Sequence, residues 1–284
     1  MPNVIVPLPR FYKQNWPRAE INGNVSLAKD LSGVWAFDQA GTYQRNLVTR
    51  TAGTFNGDAK IVSAQGGLSL SVTPGGTGYF DTGYTGPTGG GPATYFVLGM
   101  TRNLPSGSGT SAVGAMMSQY AIVGNGIELD FGNAFGSSSA VYATGSTAAT
   151  TAWWDGAKNA AVNPLTGVSV TTNQQHSLSA YWSANPGPSK NLEFGRSRDA
   201  GTYFILDGWV FAGYCWSRQL NDSEHAWLGA EPYALIRPDV RRTYFYAAAA
   251  PTSPPPPPPP SVTYPQIERM TRGLLRGVTP GMAA

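Results

Sequence analysis

An all-β fold of two antiparallel sheets packed as a sandwich is predicted by three observations. Charged residues make up 12% of the 284-residue chain, roughly half the share in an ordinary globular domain. Glycine and proline number 35 and 23, so breakers punctuate the chain throughout. Between them, short apolar or alternating runs recur at the roughly 8–20-residue spacing of a sandwich. Hydrophobic residues at 41%, with 8 Trp, 14 Tyr and 11 Phe, supply a core and exclude a polyelectrolyte-type disordered chain. A long charged helical bundle and a doubly wound parallel sheet are excluded too, because no long helical pattern alternates with the strands.

Each element is justified locally. Val34-Trp35-Ala36-Phe37 reads as a short strand. Leu68-Ser69-Leu70-Ser71-Val72 alternates strictly, the mark of a strand with one buried face. Tyr95–Met100 is an uninterrupted apolar run suited to a central strand. Tyr120–Val123 and Ile127–Phe131 flank Gly124-Asn125-Gly126, a hairpin signal. Further strands are predicted at Ala140–Ala143, Val168–Val170, Ser177–Trp182, Leu192–Phe194 and Gly208–Tyr214. A single helix of about two turns is expected after Asn221. Glu224 stands three residues beyond that cap and can reach back to its amide, Ala226-Trp227-Leu228 gives an apolar face, and Gly229 offers a left-handed exit.

Residues 1–30 read as an N-terminal arm bearing Phe11, Tyr12 and Trp16, and 31–246 as the β domain. An Ala/Pro-rich linker, 247–260, ends in seven consecutive prolines. These form a polyproline II rod of roughly 22 Å at ~3.1 Å per residue. The tail, 261–284, is too short to bury a core of its own. Ile267, Met270, Leu274 and Leu275, with Arg269, Arg272 and Arg276, make it a candidate anchor held off the domain by the rod. The net charge of +3 collects near the C-terminus, and a nearly neutral body argues against nucleic-acid binding. No apolar run is long enough to cross a membrane, and the opening residues lack the pattern of a secretory signal.

The lone cysteine, Cys215, sits in an aromatic run and reads as a small buried hydrophobe; neither His176 nor His225 lies in a motif that recruits it. No Walker loop, dinucleotide fingerprint or zinc-ligand cluster is present. Trp153-Trp154-Asp155-Gly156 reads as a loop pair of rings, one packed and one exposed, and Tyr84 as a loop-tip ring. Trp153, Trp154, Asp155 and Tyr84 are therefore the candidate carbohydrate-binding residues. Trp182, Trp209, Trp216 and Trp227 stand in apolar contexts and are expected in the core.

Leu27–Phe37 resembles the opening of laminin-G-like jelly-roll domains in bacteriophage virion proteins, with Lys29-Asp30 in place of that family's Arg-Gly pair. Gly67–Leu70 and Gly78–Gly83 are similar to a later segment of the family. The most specific resemblance is Phe211–Glu224, similar to the final strand and helix, followed by Glu231–Pro238, similar to the closing coda. It spans about 25–246 and implies a concanavalin A-like jelly roll. It also implies a non-enzymatic virion structural protein, a head decoration or fibre assembled in the host bacterial cytoplasm. Such a protein would dock on capsid or tail proteins and form a homo-oligomer or symmetric array; the alternative is a module binding host surface glycans. Retaining glucanases of this fold carry Glu-x-Asp-x-(x)-Glu on one strand. Here Glu128-Leu129-Asp130-Phe131 is followed by Gly132-Asn133, so the third acid is missing and no enzyme is expected. Calcium, the other chemistry of these domains, has only scattered candidates in Asp81, Asp130, Asp155, Asp199 and Asp207, each better suited to capping a turn. No cofactor is expected.

Overall fold

The computed structural model describes residues 19–38, 43–64, 67–73, 78–87, 90–103, 113–119, 126–132, 141–187, 190–199 and 202–238. The chain divides into two units, Met1–Val240 and Arg241–Ala284. The second, with the polyproline rod and the tail residues Ile267, Arg269, Met270, Arg272, Leu274, Leu275 and Arg276, lies outside the described residues, as does the strand expected at Tyr120–Val123.

The strands run in chain order as β1 (Ala19–Ile21), β2 (Leu31–Trp35), β3 (Thr54–Asn56), β4 (Lys60–Ala64), β5 (Gly67–Val72) and β6 (Tyr79–Asp81). Next come β7 (Ala93–Thr101), β8 (Val113–Ser118), β9 (Ile127–Gly132), β10 (Val141–Gly145), β11 (Thr151–Trp154) and β12 (Ala157–Asn159). The last are β13 (His176–Trp182), β14 (Glu193–Phe194), β15 (Arg196–Asp199), β16 (Thr202–Ile205), β17 (Gly208–Trp216) and, after helix α1 (Asp222–Ala230), β18 (Ile236–Pro238).

Two antiparallel sheets form the sandwich. The smaller has six strands in the order β10-β9-β8-β14-β6-β3. The larger has eight, in the order β12-β11-β13-β7-β17-β5-β4, with β2 also paired to β17. On β9 the alternation sorts side chains cleanly: Ile127, Leu129 and Phe131 enter the inter-sheet core, so Glu128 and Asp130 point to the other face. The same core takes Tyr95, Val97, Leu178 and Trp182 from the larger sheet.

A second apolar layer covers the far side of the larger sheet. Phe96, Leu98 and Met100 of β7 and Phe211, Tyr214 and Trp216 of β17 meet Leu27, Leu220, Leu228 and Leu235 there. Both faces of β7 and β17 are thus apolar, which is why they read as continuous runs. It also corrects the expectation for β5: Ser69 and Ser71 are buried as well as Leu70 and Val72. Ser71 Oγ accepts from Arg102 Nη2 at 2.7 Å.

Other sequence expectations need adjustment. Val168–Val170 forms no strand, and β2 starts at Leu31 and stops at Trp35, before Ala36-Phe37. Trp182 and Trp216 are buried as expected. Trp209 and Trp227 are only half-buried; the Arg102 guanidinium lies 4.0 Å from the centre of the Trp209 ring. Cys215 is fully buried, and burial pushes its thiol up to about 12.

Helix α1 has the expected capping box. Asn221 accepts from the Glu224 amide at 2.9 Å, and Glu224 accepts from the Asn221 amide at 3.0 Å. Gly229 is not its exit, however: the helix continues to Ala230 with Glu231 as its cap.

Candidate functional site

The turn after Trp154 shows why the expected carbohydrate platform is not there. Asp155 and Gly156 both take positive φ, 51° and 83°, as a two-residue hairpin between β11 and β12 requires. This places both tryptophans on a strand inside the larger sheet, paired to β12 and β13. Trp153 is 2% exposed and Trp154 8%, so neither offers a face to a sugar. Trp153 stacks on His225 with ring centres 3.4 Å apart, and Trp154 stacks on His176 at 4.6 Å. Asp155 is occupied as well. Its carboxylate accepts from His176 Nδ1 at 2.9 Å and from the Ser177 amide at 2.9 Å. Tyr84 is half-buried against the inter-sheet core, its ring 5.8 Å from Trp35, and burial raises its phenol to about 12. Trp153 and Trp154 correct the expectation of an exposed ring, and Asp155 and Tyr84, both partly buried, are engaged with the sandwich.

Two histidine contacts escaped sequence reading, because their partners are remote in the chain. His176 Nε2 accepts from the Thr171 amide at 3.3 Å, which leaves Nδ1–H to donate to Asp155. Ser179 Oγ lies 2.7 Å from His225 Nδ1 beneath helix α1. Burial drives the His225 imidazole down to about 3, so it stays neutral and packs. Both members of this hydroxyl–imidazole pair are buried, which leaves it no access to substrate.

The outward face of the smaller sheet is different. Ladder register sets one row across all six strands: Thr54, Asp81, Glu193, Ser118, Glu128 and Thr144 oppose one another in turn. One step along β9, Asp130 opposes Tyr142 of β10 and Ala115 of β8. Polar side chains line this face because each sits between core-directed neighbours.

The row holds two electrostatic regimes. Glu193 is neutralised twice, by Lys190 Nζ at 2.8 Å and by Arg196 Nη2 at 2.9 Å. The Arg196 guanidinium also lies 3.3 Å from the centre of the Tyr79 ring. Among the described residues Asp130 has no such counter-charge. It is 3% exposed, and its Oδ1 has no hydrogen-bond partner among the described residues. Burial first, and the neighbouring Glu128 second, hold its carboxyl well above the usual carboxylate range. Burial and the carboxylate of Asp130 also raise the Tyr142 phenol. Glu128 and Thr144 remain partly accessible beside them. Asn163 Nδ2 donates to Thr144 Oγ1 at 3.2 Å.

The scattered aspartates do not converge. Asp81 accepts from the Gly83 amide and Asn191, and Asp207 from Arg102 and Asn103. Among the described residues no three His, Cys, Asp or Glu gather as metal ligands. The side chain of Asp199 lies outside the description.

No protein-family model and no curated protein matches the chain. Among solved structures it is similar to domain 4 of AbnA, a GH43 extracellular arabinanase from Geobacillus stearothermophilus. That match has 11% identity and a TM-score of 0.45, covering 70% of this chain and 98% of the other. It is similar to a mutant of Trypanosoma rangeli sialidase displaying trans-sialidase activity at 12% identity and a TM-score of 0.45, covering 78% of this chain but 37% of the sialidase. The binding domain of botulinum neurotoxin DC in complex with SialylT aligns at 9% identity and a TM-score of 0.36, covering 72% of this chain and 52% of that one. Likeness at this level carries nothing about ligand or activity. The sandwich stands on the chain's own ladders.

Proposed function

We propose that this chain is a non-catalytic carbohydrate-binding module. Saccharide is held on the outward face of the smaller sheet, at Glu128 and Thr144. The observation that carries this reading is the polar row on that face, where Glu128 and Thr144 oppose each other across β9 and β10 and stay partly accessible. Vicinal hydroxyls both donate and accept, which matches a carboxyl group and a hydroxyl set side by side. The absence of catalysis is part of the proposal. The outward position after Asp130 on β9 is Gly132, where glucanases of this fold place a third acid, and Glu193 is tied to two cations. Binding to a neutral-polysaccharide panel by affinity electrophoresis, lost in Glu128→Gln and Thr144→Val, tests the reading. Release of reducing ends from any member of the panel would overturn its non-catalytic part.

A second reading concerns where such a module works. The closing stretch that resembles phage virion jelly rolls is built here as β17, the Asn221–Glu224 capping box and α1. On that resemblance we propose display on a virion, with the tail beyond the polyproline rod as the anchor. Full-length protein and a truncation ending at Ala250 are compared for co-sedimentation with phage particles lacking the protein. Binding by full length alone supports tail anchoring; equal binding by both refutes it.

A further inference from the structure

We propose that Asn56, at the turn from β3 to β4, is a site of spontaneous succinimide chemistry that converts it to aspartate and isoaspartate. This inference is independent of the carbohydrate reading above.

Three asparagines precede a glycine in this chain: Asn22, Asn56 and Asn125. In such a pair the glycine amide can attack the preceding side-chain carbonyl, because no Cβ hinders its approach. Two restraints oppose the attack in a folded chain: hydrogen bonds that hold the amide, and hydrogen bonds that hold the side chain. Asn22 is under both. The Gly23 amide donates to the Ile21 carbonyl at 3.1 Å. Asn22 Nδ2 donates to the Ala234 carbonyl at 3.3 Å, and its Oδ1 accepts from the Asn24 amide at 3.4 Å. Asn125 lies outside the described residues. The two aspartates that precede a glycine, Asp155 and Asp207, have both carboxylate oxygens hydrogen-bonded.

Asn56 is placed differently. It closes β3, and its carbonyl accepts from the Ala59 amide at 3.3 Å. Asn56-Gly57-Asp58-Ala59 is therefore a β-turn whose bond does not use the Gly57 amide. Gly57 takes a φ of 58°, and Gly57 and Asp58 are both exposed. The ladder does not take this amide either. Successive amides alternate sides along a strand. That of Gly53 donates to the Gln44 carbonyl at 2.9 Å, outside the ladder between β3 and β6, so the Gly57 amide, four residues on, turns the same way. Among the described residues no hydrogen bond holds it. The Asn56 side chain makes an exposed donation from Nδ2 to the Thr54 carbonyl at 3.2 Å, which water replaces at little cost.

The Gly57 nitrogen gives up its proton and bonds to Asn56 Cγ, and the Cγ–Nδ2 bond breaks with loss of ammonia. Water then opens the cyclic imide at either carbonyl. Opening at Cγ gives aspartate. Opening at the main-chain carbonyl carries the chain through Cβ and Cγ as isoaspartate. The sum is asparagine plus water giving a carboxylic acid plus ammonia. Either product places a new negative charge next to Asp58. Isoaspartate also adds a main-chain carbon where the chain leaves the smaller sheet for the larger.

The experiment is timed incubation of the full chain in neutral and in mildly alkaline buffer, read by isoelectric focusing and by peptide mapping with mass spectrometry. A parallel sample is held unfolded in urea. An acidic species lower by a single charge is expected to accumulate, faster at the higher pH because the amide proton must leave. Mapping should place it at Asn56, with isoaspartate and aspartate both present. In the folded chain Asn56 should react roughly tenfold faster than Asn22, a barrier difference of about 1.4 kcal/mol. In urea the two sites should react alike. Asn56→Gln keeps the amide but lengthens the ring that must close, and should remove the species while circular dichroism stays unchanged. Equal rates at Asn22 and Asn56 in the folded chain would overturn the proposal. So would an Asn56 that reacts in urea but not when folded, or an acidic species that persists undiminished in Asn56→Gln.

Discussion

Asp130 and His225 are buried titratable groups that move stability in opposite directions with pH. Asp130 has its pKa raised by folding, so its contribution is favourable below the unfolded carboxyl value of about 3.9 and is lost as pH rises through the folded value. At neutral pH it is therefore a cost. Asp130→Asn should raise the unfolding free energy at pH 7, by about 1–3 kcal/mol, as read from urea melts. His225 has its pKa lowered to about 3. It is neutral in both states above roughly pH 6.5, and stability drains away as pH falls from there toward the folded value. His225→Phe keeps a ring against Trp153, so its unfolding free energy should fall less between about pH 7 and pH 4 than that of the wild type. A steeper acid loss in that variant would show that the imidazole does not govern this limb.

At the scale of elements, helix α1 depends on one close approach. A Cβ on Gly229 would stand 2.3 Å from Gly156 Cα, in the turn between β11 and β12. In an exposed helix, glycine to alanine gains up to about 1 kcal/mol. Here Gly229→Ala should instead cost about 1–3 kcal/mol, because helix and turn must separate. Asn221→Ala removes the cap and should cost about 1 kcal/mol. Chemical denaturation of the two variants separates packing from capping. The cap was legible in the sequence because its partners lie within four residues. The role of Gly229 was not, because the atom it must avoid belongs to a turn more than seventy residues earlier.

Across the whole molecule, the larger sheet is shared by two apolar layers. Leu129 fills the one between the sheets and Leu27 the one outside. Their removal should disturb a single cooperative transition: Leu27→Ala and Leu129→Ala should each cost about 2–5 kcal/mol. Tryptophan fluorescence and far-UV circular dichroism should report coincident midpoints for both variants. Separate transitions would mean that the outer layer unfolds by itself.

The all-β class, the alternation along β9 that sends Glu128 and Asp130 to one face, and the capped helix were determined by the sequence itself, because each rests on contacts within a few residues. The tertiary structure alone decided that Trp153, Trp154 and Tyr84 are packed inward and that Asp130 is shut away without a counter-charge among the described residues. Alternation says that two neighbours face opposite ways, but not what covers each side. Trp153 is covered by His225 of α1, and Asp130 lies in a sheet whose ladders join segments distant in the chain. Burial, and with it the protonation of a carboxyl, depends on those long-range neighbours, which local pattern does not encode.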